Sequence, residues 1–159
     1  MIHPVRRLTA DDWRAARATR LRALADAPGA FASTLAREEA FDEATWRTRI
    51  TDNAWFAAGD PAVGLACGIP EPGDADGRHL VGMWVEPARR GEGVADLLVD
   101  AVVAWARADG GRRLALWVVD GNVRARRCYE RLGFTLTGER QPLPTDPSVT
   151  ESRMLRHLV

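Results

Sequence analysis

The stretch Met83-Trp84-Val85-Glu86-Pro87-Ala88-Arg89-Arg90-Gly91-Glu92-Gly93-Val94-Ala95 sets adjacent arginines and spaced glycines between two apolar runs. It reads as the end of a strand, a short turn and the first turn of a long helix. Such a junction suits an anion. The opening N–H groups of a helix lack internal partners, the dipole is positive there, and glycine lets backbone come close. A phosphate group is the natural guest for Arg90, Gly91, Gly93, Val94 and Ala95. Glu92 has the opposite preference and should turn away from it.

Other residues able to do chemistry are few. Tyr129 is the single tyrosine, on a helical stretch that Asn122 can cap and Gly133 can end. His79 stands in an apolar run. Cys67 and Cys128 are far apart and lack metal-ligand spacing, which points to reduced thiols, no metal and a cytoplasmic protein. A nucleophilic Cys128 has no histidine partner visible in the sequence.

The elements that must position these residues follow from pattern. Val5 to Leu8 suits an edge strand, and Thr9 can cap a helix reaching about Asp26. Phe31 follows in a loop, as a core plug or a cavity wall. A second helical region is expected within Leu35 to Ile50, with Glu38 and Glu39 on a solvated face. Ala54–Ala58 and Ala62–Ile69 flank Gly59-Asp60-Pro61 as a hairpin, and Arg78–Val85 is a third strand. Gly93 to Ala108 has helical periodicity, and Leu114–Val119 is apolar almost throughout, as a strand buried on both faces would be. After the Asn122 helix, Phe134–Thr137 begins a strand, Gln141–Ser148 is loop, and Ser152–Leu158 closes the chain. The order is β-α-α-β-β-β-α-β-α-β-β, an α+β or α/β sheet with helices packed on it.

At 159 residues the chain suits one domain, 1–159, and 46% hydrophobic with 28% charged residues is an ordinary globular mixture. Basic and acidic residues both number 22, and the net charge of zero argues against nucleic acid or anionic membrane as partner. The first residues, Met1 to Arg7, lack the apolar core of a secretory leader. No apolar run reaches the roughly 18 residues of a membrane span.

Two motifs carry a resemblance. Arg90, Gly93 and Ala95 meet [Gln/Arg]-x-x-Gly-x-[Gly/Ala] after a strand ending Val85-x-Pro87. Asn122, Ala125, Tyr129, Gly133 and Phe134 meet Asn-x-x-Ala-x-x-x-Tyr-x-x-x-Gly-Phe. At this distance and in this element order, the region from Leu80 to Phe134 resembles the GNAT acetyltransferase superfamily. The resemblance implies a mixed, mostly antiparallel seven-stranded sheet with a central splay, flanked by about four helices. It also implies acetyl-CoA as co-substrate and an amine acceptor, either a small molecule or a protein N-terminus.

Several roles are implied with it. Met83, Trp84 and Val85 would present strand edge to the pantetheine arm, with a backbone N–H toward the developing oxyanion. Arg90 to Ala95 would cradle the pyrophosphate, Asn122 would neighbour the cofactor, and Tyr129 would return a proton to the leaving thiolate. Relatives with a Glu six residues ahead of the Val of Val-x-Pro use it as base; here that position is His79, so the base is His79 or a water chain. Some protein N-terminal acetyltransferases use a Glu five residues before the Asn, and Trp117 stands there instead. A silent acyl-CoA-binding regulatory module is the competing reading. A P-loop is disfavoured because Arg90-Gly91-Glu92-Gly93 lacks the Lys-Ser/Thr ending. The acceptor pocket is expected from Ala27–Ile50 and Arg140–Ser148, and an apolar edge at the last strands would permit a homodimer.

Overall fold

In the computed structural model, which describes residues 3–158, seven strands form one sheet in the order β1-β2-β3-β4-β5-β7-β6. They are β1 (Val5–Arg7), β2 (Ala54–Ala58), β3 (Gly64–Pro70), β4 (Gly77–Val85), β5 (Arg113–Val119), β6 (Thr135–Leu143) and β7 (Asp146–His157). The helices are α1 (Trp13–Asp26), α2 (Leu35–Glu39), α3 (Glu43–Asp52), α4 (Val94–Ala108) and α5 (Val123–Arg131). Every strand pair is antiparallel except β4–β5. The expected α+β fold is present.

Two segments differ from expectation. Leu35–Ile50 folds as two helices because it contains two competing start signals. The Thr34 hydroxyl accepts from the Arg37 N–H, and the Asp42 carboxylate accepts from the Thr45 N–H at 2.8 Å, so a new helix begins at Glu43. Gln141–Ser148 is not a loop: β6 and β7 continue through it and leave Pro144-Thr145 in the turn. β5 pairs with β7 only as far as Glu151, so Pro147 meets no ladder on that side, and Pro142 lies on the edge strand β6. A missing N–H is tolerated in both places.

The sheet is covered on both faces. On one, Leu98, Val99, Val102, Val103 and Ala106 of α4 pack on Ala66, Leu80, Leu114, Leu116 and Met154. On the other, Ala16 of α1 and Ile50 of α3 pack on Trp55, Leu65 and Cys67. A third cluster joins Ala23, Leu24, Phe31 and Trp84, tying the end of α1 to the end of β4. The α4 helix follows its 3.6-residue periodicity because one stripe meets the sheet.

The splay opens between β4 and β5. These strands pair only at Gly77–Arg113, Arg78–Leu114 and His79–Ala115, while β5 goes on pairing with β7 to Val119–Glu151. Against β3, Trp84 pairs with Leu65 and Val81 with Cys67, so β4 holds one extra residue, a bulge at Gly82-Met83 with Gly82 at φ +62°. A wedge therefore opens beyond His79, and one edge of β4 from Leu80 to Val85 is left without a strand partner.

Candidate active site

The wedge leads into a cleft of about 550 Å³ bounded by the end of β4, the turn into α4 and the inner face of α5. Met83, Trp84, Val85, Arg90, Gly91, Gly93, Val94, Ala95, Asn122 and Tyr129 all line it. Residues spread over two sequence motifs thus converge on one surface. Of the residues proposed for the site, only His79 lies elsewhere.

The turn into α4 has the form an anion needs. Gly93 is the N-cap with φ +85°, a left-handed conformation that side chains resist, and the space where its Cβ would stand is open. The first helical bond there runs from the Leu97 N–H to the Gly93 carbonyl, leaving the N–H groups of Val94, Ala95 and Asp96 without helical partners. Glu92 reaches toward Arg89 (3.8 Å) and His3 (3.9 Å), which accounts for an acid in a phosphate-type turn.

Arg90 has a structural task as well. Its Nε donates to the Val85 carbonyl (3.0 Å) and an Nη to Asp26 (3.1 Å), which also accepts from the Trp84 indole (3.0 Å). The guanidinium clamps the end of β4 to the end of α1. Arg124 and Arg131, which the motifs did not mark, also line the cleft. Arg131 grips Asp96 through two hydrogen bonds of 2.8 and 2.9 Å and holds that carboxyl below its ordinary range. Only the docking of α5 beside α4 turns these arginines inward, and no local signal announces it.

Tyr129 is 9% exposed and packs edge-on to Phe134 at 5.8 Å. Burial pushes its phenol well above the usual range, so it stays protonated at any ordinary pH. Asn122 caps α5 by accepting from the Ala125 N–H at 3.2 Å. Cys128 lies on the same wall, and burial raises its thiol despite Arg131 nearby, which favours the unreactive protonated form.

A second cavity, about 640 Å³, adjoins the first at Ala30 and Phe31, which line both. Phe31 is thus both plug and wall. The cavity takes residues from Ala30 to Arg49, from β4 at His79 to Gly82, and Trp117, Gln141, Pro144 and Glu151. The Thr145 hydroxyl donates to the Phe31 carbonyl (3.1 Å), so the β6–β7 turn touches the loop after α1. His79 sits at the apex of the splay, with Nδ1 2.8 Å from Glu71, whose other oxygen lies 3.7 Å from Arg153. Four residues of strand, about 13 Å, separate it from Met83. Glu38, expected in solvent, is 1% exposed: Arg20 holds it through two hydrogen bonds (2.9 and 3.0 Å) and Arg49 through a third (2.9 Å). These partners overcome burial and keep the carboxyl down at about 2. Among the described residues no cluster of His, Cys, Asp and Glu could hold a metal ion, and no helix is long and apolar enough to cross a membrane.

The chain belongs to the acetyltransferase (GNAT) family, whose model matches residues 11–134. A mycothiol acetyltransferase of Beutenbergia cavernae is 35% identical over 77 residues, covering 39% of this chain and 26% of that protein, so the match spans about a quarter of the relative's length. Among solved structures, a GCN5-related N-acetyltransferase from Kribbella flavida superposes with a TM-score of 0.75 at 24% identity, covering 98% of each chain. The yncA acetyltransferase of Salmonella typhimurium, solved with acetyl-CoA, superposes with a TM-score of 0.76 at 16% identity, over 100% of this chain and 95% of that one. These two likenesses concern the fold.

Proposed function

We propose that the chain is a single-domain N-acetyltransferase that moves the acetyl group of acetyl-CoA directly to a primary amine of a small molecule or a protein N-terminus. The observation that carries this reading is the convergence, on one cleft at the β4–β5 splay, of the open strand edge, the α4 anion turn and the Tyr129 phenol. The cleft fits the co-substrate on its own terms. It has free first-turn N–H groups for a pyrophosphate, open space at Gly93, and Arg89, Arg90 and Arg124 on its rim.

In this scheme Met83, Trp84 and Val85 pair their backbone with the pantetheine amides, and an N–H at the bulge faces the thioester oxygen. The amine nitrogen bonds to the acetyl carbon as the carbon–sulfur bond breaks. The nitrogen loses a proton, and the departing thiolate receives one from Tyr129, which burial keeps in its neutral, protonated form. A lysine-type amine has a reference pKa near 10.4, so deprotonating it at pH 7 costs roughly 4 kcal/mol. His79, oriented by Glu71 but set back along β4, would take that proton through water rather than by contact.

The test is thiol release from acetyl-CoA against a panel of amines, amino acids, antibiotics and peptides. Turnover with at least one amine supports the reading. Acetyl-CoA binding with no turnover on any acceptor would favour a silent acyl-CoA-binding module.

A further inference from the structure

The second cavity is electrically lopsided. On the helical side, Arg20 and Arg49 share one carboxylate, Glu38, so two guanidinium charges face a single negative one. Arg37 adds a third cation to the same lining. Arg20 is 6% exposed, and its Nη1 is buried without a hydrogen-bond partner, against the bulge at Gly82, where an added Cβ would come within 3.3 Å of it. A buried, unpartnered donor on a fixed cation is a defect in an empty protein and a feature in a ligand site. Phe31 stacks under Arg20 (4.9 Å), and Phe41, Trp46 and Trp55 surround Arg49 at 4.7 to 5.5 Å, so these heads are held in place.

The β7 side is the opposite. Glu151 is 6% exposed and its carboxylate accepts from the neutral Gln141 amide at 2.6 Å, with no cation paired to it among the described residues. Burial of a carboxylate beside an amide alone leaves an attraction for a positive group unmet. His79 lies on the same lining. The cavity therefore offers surplus positive charge at one wall and an unneutralised carboxylate at another, next to the cleft through Ala30 and Phe31.

We infer that the acceptor is a small amine that also bears an anionic group, of amino-acid type, with Arg20 and Arg49 taking the anion and Glu151 drawing the ammonium end. This rests on the N-acetyltransferase reading and narrows it: a free zwitterion matches both walls, whereas a polyamine matches one and a chain-initiating peptide amine lacks the nearby carboxylate. Arg49 then acts as a specificity-determining residue, since it touches the acceptor at the anion, remote from the reacting carbon, while Glu151 positions the amine that reacts. Arg37, at the open rim, adds to the field that draws the anion in.

The experiment compares each free amino acid with its primary amide and its decarboxylated amine, by thiol release with acetyl-CoA and by calorimetric binding to the CoA-saturated protein. Loss of a charge-assisted hydrogen bond should lower kcat/KM about 10- to 100-fold for the amide and the decarboxylated amine. Arg49→Gln should lower kcat/KM by a similar factor for the amino acid and leave the amide nearly unchanged, while Arg49→Lys recovers part of the loss. Glu38 keeps both Arg20 contacts in these variants, so folding should survive, and a thermal melt checks it. Amides, amines or peptides used as well as free amino acids would overturn the inference, as would an equal loss for both substrates in Arg49→Gln. If nothing is acetylated while CoA binds, the transfer reading fails, and calorimetry then decides the inference alone. Amino-acid binding that the amides do not show supports it, and equal or absent binding overturns it.

Discussion

Tyr129 is placed by a helix that Asn122 starts and Gly133 ends, and its phenol is kept protonated by burial rather than by a partner. Phenylalanine would preserve the edge contact with Phe134 and remove only the proton. Tyr129→Phe is expected to lower kcat by about 100-fold or more, the scale of general acid catalysis, with the KM for acetyl-CoA little changed; steady-state kinetics checks both. The pH dependence has a definite sign. A raised phenol pKa keeps the acid form through neutral and mildly alkaline pH, so the wild-type rate should not fall there through loss of this proton. Cys128 beside it is held as a thiol, and Cys128→Ala should therefore retain turnover, which thiol release from acetyl-CoA would show directly. A dead Cys128→Ala enzyme with a normal melt would restore the covalent route.

Glu38 binds elements together: it sits on α2 and pairs with Arg20 of α1 and Arg49 of α3. Glu38→Gln leaves the buried Arg20 guanidinium and the partly exposed Arg49 one with no anion, and breaking such a buried pair costs about 3–5 kcal/mol, to be read from urea unfolding. The carboxyl is depressed in the folded state from an ordinary 4.5 to about 2, so its contribution is complete above about 4.5 and disappears as the pH falls toward 2. The wild type should lose stability across that window, and the variant should show a shallower acid limb. At the start of α4, Gly93→Ala forces a side chain into φ +85°, which costs about 1–2 kcal/mol of strain. Relief of that strain would re-aim the first-turn N–H groups, so the KM for acetyl-CoA should rise more than the KM for the amine.

For the molecule as a whole, a net charge of zero conceals a local excess. The cleft carries Arg89, Arg90, Arg124 and Arg131; Glu92, Asp26 and Asp96 face three of them, and Arg124 has no ion-pair partner among the described residues. Its hold on a phosphate-bearing co-substrate should weaken with salt, because the Debye length falls from about 10 Å at 0.1 M to about 3 Å at 1 M. A severalfold rise in the KM for acetyl-CoA across that range, with the melting temperature nearly constant, is the expected result; an unchanged KM would mean backbone contacts dominate. All 22 basic residues are arginine. The protein therefore offers no lysine amine of its own, and intact mass after incubation with acetyl-CoA should show no side-chain acetylation to confuse an acceptor screen.

Local chemistry alone determined a good deal. The periodicity of α4, the Asn122 cap, the Gly133 stop and the strand–turn–helix at Arg90 to Ala95 depend on neighbours a few residues away, and each could be read from spacing. The element order followed, and with it the fold class. What needed the tertiary structure were properties of groups distant in sequence. Glu38 looked solvated because its partners stand 18 and 11 residues away. Pro142 and Pro147 looked like loop because their place in strands depends on β6 being the edge of the sheet and on where β5 stops beside β7. Glu92 was a misfit until His3 and Arg89 closed on it. The separation of the cleft holding Tyr129 from the cavity holding His79, Glu151 and the arginine wall is likewise decided by packing. Charge balance in a cavity is a sum over facing walls, and α1, α3, β4 and β7 meet there only after the sheet has splayed.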